Sequence, residues 1–122
     1  MHHLETFWTK GCVFDYFNAR NFSESGQFAA THILFRNDIR SRTFTKLWSE
    51  IAENNLHLIT DEPSTTANFP EFKEHRHDQS LFSLLLKSRF FNGVYVLPDE
   101  CWAENFNTII LNPIWATRNK YR

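Results

Sequence analysis

The segment Glu74-His75-Arg76-His77-Asp78-Gln79-Ser80 packs two imidazoles, a guanidinium, two carboxylates and an amide into seven positions. Leu81, Phe82, Leu84, Leu85 and Leu86 follow at once. Unpaired backbone N–H groups and the positive end of the helix dipole favour a carboxylate or a bound anion at a helix start. A buried helix also holds its first turn rigidly, which positions polar side chains against a substrate. Simpler roles compete. Asp78 can cap its own helix, worth about 1 kcal/mol, and Glu74 with Arg76 can form a solvated pair of little worth. His75, His77 and Asp78 would suit a small metallohydrolase only if the chain held metal tightly. Two histidines at i, i+2 are a weak metal signal, so no metal site is assigned.

Two further clusters carry polar chemistry. The loop from Asp61 to Asn68 is long, and loops placed by a rigid scaffold often bear function. In Trp8-Thr9-Lys10-Gly11, Lys10 falls in the first turn of a helix. Its ammonium can reach a phosphate or point to solvent.

These clusters need elements to position them. Residues 9–17 read as a short helix with Thr9 as N-cap and Val13, Phe14 and Phe17 on one face. Gly26 punctuates the chain. The stretch 28–35, centred on Thr31-His32-Ile33-Leu34-Phe35, reads as a strand. Asn37 or Asp38 caps a helix running to about Glu53, with Phe44, Leu47, Trp48 and Ile51 at i, i+3, i+4 and i+7. Residues 60–73 form a polar loop. A helix follows from Asp78 to about Arg89, apolar around most of its circumference and so buried on more than one side. Asn92-Gly93 turns the chain into a short strand, Val94 to Leu97. A further strand is expected over Thr108 to Leu111, before a basic, irregular tail. Strands separated by helices predict an α/β fold with a short mixed sheet covered by helices. So few strands make a thin sheet whose edges need partners.

A length of 122 residues supports one domain, 1–122. Thirteen Phe and four Trp give its core bulk. Thirteen basic against fourteen acidic side chains leave a net charge of −1, which gives no electrostatic footprint for nucleic acid. Cys12 and Cys101 make neither a disulfide framework nor a zinc set. No leader pattern opens the sequence, and no apolar run approaches a membrane span. The expectation is a cytoplasmic chain without a transmembrane segment.

The succession of motifs resembles a known family. It runs from Trp8-Thr9-Lys10 and Phe14 through Ser25-Gly26-Gln27 to Thr31-His32-Ile33-Leu34-Phe35-Arg36-Asn37. Ser41, Phe44 and Trp48 come next, then Leu58-Ile59-Thr60-Asp61-Glu62-Pro63-Ser64 and Asn68. Phe72 and the segment Glu74 to Leu85 close it. This order resembles the C-terminal half of bacterial and viral glycosyltransferases of the GT-A, nucleotide-diphospho-sugar transferase type. The likeness covers about residues 6–90, with a looser match at 113–118, and Glu74 to Leu85 is its specific part. It implies a partial GT-A-like α/β fold lacking its nucleotide-binding half. By analogy with retaining transferases, it implies catalytic roles for Asp78, on donor-sugar hydroxyls, and Gln79, near the anomeric carbon. His77, Arg76, Asp61, Asn68, Lys10 and Gln27 would line the substrate site.

Complete relatives place an Asp-x-Asp motif in their first half, where a divalent cation, Mn or Mg, bridges the diphosphate of the nucleotide sugar. This chain contains no Asp-x-Asp; Asp61-Glu62 and Asp99-Glu100 are adjacent pairs. The resemblance therefore implies the sugar- and acceptor-side portion of a transferase of surface-glycan or capsule-type polysaccharide assembly. Such a portion holds no cofactor of its own and is inactive alone. Its partners would be a nucleotide sugar, a glycan acceptor and a separately encoded N-terminal half. The rival expectation is a non-catalytic glycan- or protein-binding module.

Overall fold

The computed structural model describes residues 3–97. The chain divides into two compact units, Met1–Asn92 and Gly93–Arg122. The first unit is built from helices. They are α1 (Glu5–Trp8), α2 (Gly11–Tyr16), α3 (Ile39–Asn54) and α4 (His77–Leu85), which runs on through a π-helical turn, Leu86–Phe90. Short 3-10 turns, Arg20–Phe22 and Leu56–Leu58, join them.

α3 forms where local chemistry dictates. The Asp38 carboxylate accepts the Ser41 N–H at 2.9 Å, which satisfies one of the orphan donors of the first turn. Phe44 and Ile51 are buried, and Leu47 and Trp48 pack against the core, so the expected stripe is the core face. α4 is the central element. Ser80 through Leu85 are all buried, which fits its all-round apolar sequence. Phe44 of α3 meets Phe82 of α4 edge-to-face at 5.6 Å, and Phe90 of the π turn at 5.2 Å. Val13 and Phe14 bring α2 into the same core.

The expected α/β architecture is overturned. Among the described residues there is no strand and no sheet, only an isolated antiparallel bridge between Leu4 and Gly26. Residues 31–35 and 94–97 are irregular, and the strand expected at 108–111 lies outside the described residues, as does the tail. The reason is where the backbone donors go. The Phe28 N–H donates to Ser83 Oγ at 2.9 Å and the Ala30 N–H to Gln79 Oε1 at 3.3 Å. Polar side chains of α4 take bonds that a neighbouring strand would take in a sheet. β-propensity describes fit to a pleated surface, and without a partner strand it decides nothing.

The N-terminus departs from expectation too. Thr9 is no N-cap. It is buried, donates to Glu5 Oε2 at 2.8 Å, and ends α1, an element the periodicity did not show. α2 begins one residue later, with Lys10 as N-cap. No helix of the described residues is long and apolar enough to cross a membrane.

Candidate functional site

The loop between α3 and α4 is held against α2 by its own side chains. The first turn of α2 lacks a side-chain cap from its N-cap residue, so its donors look outward. The Gly11 N–H donates to Asn68 Oδ1 at 2.8 Å and the Cys12 N–H to Ser64 Oγ at 2.9 Å. Glycine at 11 is a steric requirement. A Cβ there would sit 2.1 Å from the Ala67 carbonyl oxygen, a backbone atom that cannot swing aside. Gly11→Ala is expected to cost about 1–3 kcal/mol, the range for overpacking. Urea unfolding measures it, and a wild-type midpoint would refute the clash.

Lys10 is buried and its ammonium has no free donor. It bonds the carbonyls of His57 at 2.5 Å, Thr60 at 2.9 Å and Glu62 at 3.1 Å. An ammonium has three hydrogens, so all are spent holding the loop. His75 is the second clamp. Its Nε2 lies 2.7 Å from the Leu58 carbonyl and its Nδ1 lies 3.4 Å from the Lys10 N–H. A carbonyl only accepts, so Nε2 carries the proton and Nδ1 takes the amide hydrogen; the ring is neutral. Burial pushes the His75 imidazole down to about 4, against the raising effect of its bond to the Leu58 carbonyl.

The structure brings several sequence-predicted residues to one place. Lys10, Asp61, Asn68 and His75 line a common cleft with Glu62, Pro63, Ser64, Phe72 and Glu74, enclosing ≈ 210 Å³. At its margin His77 Nε2 lies 2.7 Å from Asp61 Oδ1. That bond holds the Asp61 carboxyl below the usual carboxylate range. His77 has φ +41°, in the left-handed region that side chains other than glycine's resist. Arg76 pairs with Glu74 at 2.8 Å, as expected of a solvated pair, and its guanidinium lies 4.5 Å from the centre of the Trp8 ring.

Gln27 and Gln79 meet each other away from that cleft. Gln79 Nε2 donates to Gln27 Oε1 at 2.7 Å. Gln27 Nε2 lies 3.0 to 3.1 Å from acceptors on Thr9, Glu5 and Ser80. Both ends of the Gln79 amide therefore tie the 27–30 segment to α4. Asp78 stands apart. α4 is capped at Arg76 without a side-chain bond, so Asp78 is no cap; it is exposed in the first turn. Among the described residues no hydrogen bond or ion pair holds its carboxylate.

The buried polar centre is one that reading the sequence missed. Glu5 is fully buried, and its Oε1 accepts from Lys87 Nζ at 2.7 Å and Ser83 Oγ at 2.5 Å. Lys87 donates also to Ser25 Oγ at 2.8 Å and the Gly26 carbonyl at 2.6 Å. Burial pushes the Lys87 ammonium down and Glu5 pulls it back up. The one signal available was Lys87 itself, a charge inside a helix sequence apolar on every side.

Among the described residues no three His, Cys, Asp or Glu side chains converge to hold a metal ion. No family model, no curated protein and no solved structure matches the chain.

Proposed function

We propose that this chain supplies the sugar- and acceptor-side part of a nucleotide-sugar-dependent glycosyltransferase and does not transfer sugar by itself. The supporting observation is Asp78, a carboxylate without a partner among the described residues, on the first turn of a helix buried from Ser80 to Leu85. A rigidly based, uncommitted carboxylate suits hydrogen bonding to sugar hydroxyls, and fixed charge stabilises an oxocarbenium-like transition state. Gln79 fits a positioning role, since its amide ties the 27–30 segment to α4. Lys10 fits a loop clamp better than a phosphate ligand, because its donors are spent.

The test is transfer from nucleotide sugars by the purified chain, alone and co-expressed with a nucleotide-binding partner. The chain alone is expected to show none. In the pair, Asp78→Ala is expected to lower transfer by about a hundredfold or more while nucleotide binding stays intact. Turnover by the lone chain, or equal loss of transfer and binding, overturns this reading. The second reading, a non-catalytic glycan-binding module, is favoured by the internal commitment of Gln79. It predicts glycan binding with no transfer in either preparation.

A further inference from the structure

The cleft beside α2 has a charge balance that selects its ligand. Three carboxylates, Asp61, Glu62 and Glu74, contribute to its lining. The cations nearby are already committed. Lys10 spends its ammonium on three carbonyls, and Arg76 pairs with Glu74 and stacks on Trp8. His75 is held neutral by its burial and by the Lys10 N–H that its Nδ1 accepts. A phosphate entering here would meet negative charge with no uncommitted cation among the lining residues, and like charges at short range repel.

The remaining groups are a mixed set of donors and acceptors. Asn68 uses Oδ1 on Gly11, which leaves its NH2 as a donor. Ser64 accepts from Cys12, which leaves its hydroxyl hydrogen. Among the described residues the Glu62 carboxylate has no protein partner, and Asp61 uses only Oδ1, on His77. Phe72 adds an apolar wall. Donors and acceptors beside an aromatic ring match a ligand with hydroxyls on its edge and C–H bonds on its face. The volume of ≈ 210 Å³ leaves room for a small ligand.

We propose that the cleft lined by Asp61, Glu62, Ser64, Asn68, Phe72 and Glu74 is a subsite for a single neutral, polyhydroxylated sugar ring, distinct from the Asp78 carboxylate, and that it rejects phosphate. The proposal rests on the sugar-handling reading above and assigns the acceptor side of it.

The test is a ¹H–¹⁵N titration of the full chain. The probes are methyl glycosides of the common neutral hexoses and N-acetylhexosamines, and separately inorganic phosphate. At least one glycoside is expected to shift the Gly11, Cys12, Ser64 and Asn68 amides in a saturable way; phosphate is expected to leave them in place. Asn68→Asp keeps the Gly11 bond but replaces the free donor by a carboxylate, and is expected to weaken binding about tenfold. Glu62→Gln leaves the Glu62 carbonyl on Lys10 untouched, so it tests the cleft without loosening the loop; a several-fold loss is expected. Asp78→Ala tests the separation of the two sites: the saturable shifts of the Gly11, Cys12, Ser64 and Asn68 amides are expected to persist in it. No saturable shift with any glycoside up to its solubility limit overturns the proposal, as does phosphate saturating the same amides. Shifts centred on 77–79 and lost in Asp78→Ala also overturn it, yet leave the transferase reading standing. Conversely, binding in the cleft with wild-type transfer by Asp78→Ala removes only the role given to Asp78.

Discussion

Glu5→Gln is expected to destabilise the first unit by about 3–5 kcal/mol, the cost of leaving a buried charge without its counter-ion. Lys87 would keep its ammonium inside the core, bonded to Ser25 and Gly26 but facing no negative charge among the described residues. The intact pair is itself no large source of stability, because desolvating both ions offsets most of their attraction. The asymmetry comes from breaking one side only. Lys87→Met in the Glu5→Gln background removes the stranded charge, so the double variant is expected to lose less than the sum of the singles. Recovery stays partial, since Thr9, Gln27 and Ser83 also converge on the residue-5 side chain. Urea unfolding of the four proteins closes the cycle. Strict additivity would show that the two charges are not coupled, and a Glu5→Gln loss under about 1 kcal/mol would show that Lys87 reaches water.

Acid is expected to act on His75 before it acts on the carboxylates. The folded imidazole titrates at about 4, the unfolded one near 6.5. Between those values the unfolded chain binds the proton and the folded chain does not, so stability falls as pH falls. The contribution is fully present above pH 6.5, is lost progressively down to about 4, and is worth about 3 kcal/mol in total. Asp15, Asp38 and Asp61 have depressed folded values, so their contributions are lost only below about 3.8, a separate window. Unfolding free energy measured from pH 7.5 to 4.5 should therefore slope downward before those carboxylates protonate. A flat profile there, or a His75 ring signal titrating near 6.5, would falsify the assignment of His75 as a neutral clamp. The first region to respond should be the loop, because His75 and Lys10 hold it together.

Much of the helical framework was legible in the residues. Asp38 three positions before Ser41, with Phe44, Leu47, Trp48 and Ile51 at helical spacing, specified α3 within a few turns of chain. The apolar block after Ser80, interrupted only by Ser83, specified a helix buried on more than one side, and α4 is that helix. Caps and periodicity act between residues one or two turns apart, so they are written locally. The polar loop between these helices was legible for the same reason, and Asp61 and Asn68 do line one cleft with Lys10.

Only tertiary structure decided the rest. The stretch 31–35 has strand composition, but a strand exists through its neighbour, and α4 offers side-chain oxygens instead. Lys10 looked like a free cation until the fold placed three carbonyls around it, each at least 47 residues away. Glu5 finds Lys87 across 82 residues, and no local pattern encodes that meeting. The segment Glu74 to Ser80 divides along the same line. Its position at the head of a buried helix is a local property of the sequence. That His75 turns inward as a neutral clamp, Gln79 braces the 27–30 segment and Asp78 has no partner among the described residues follows from the packing around them, because burial and partners, not residue type, decide which polar groups remain free.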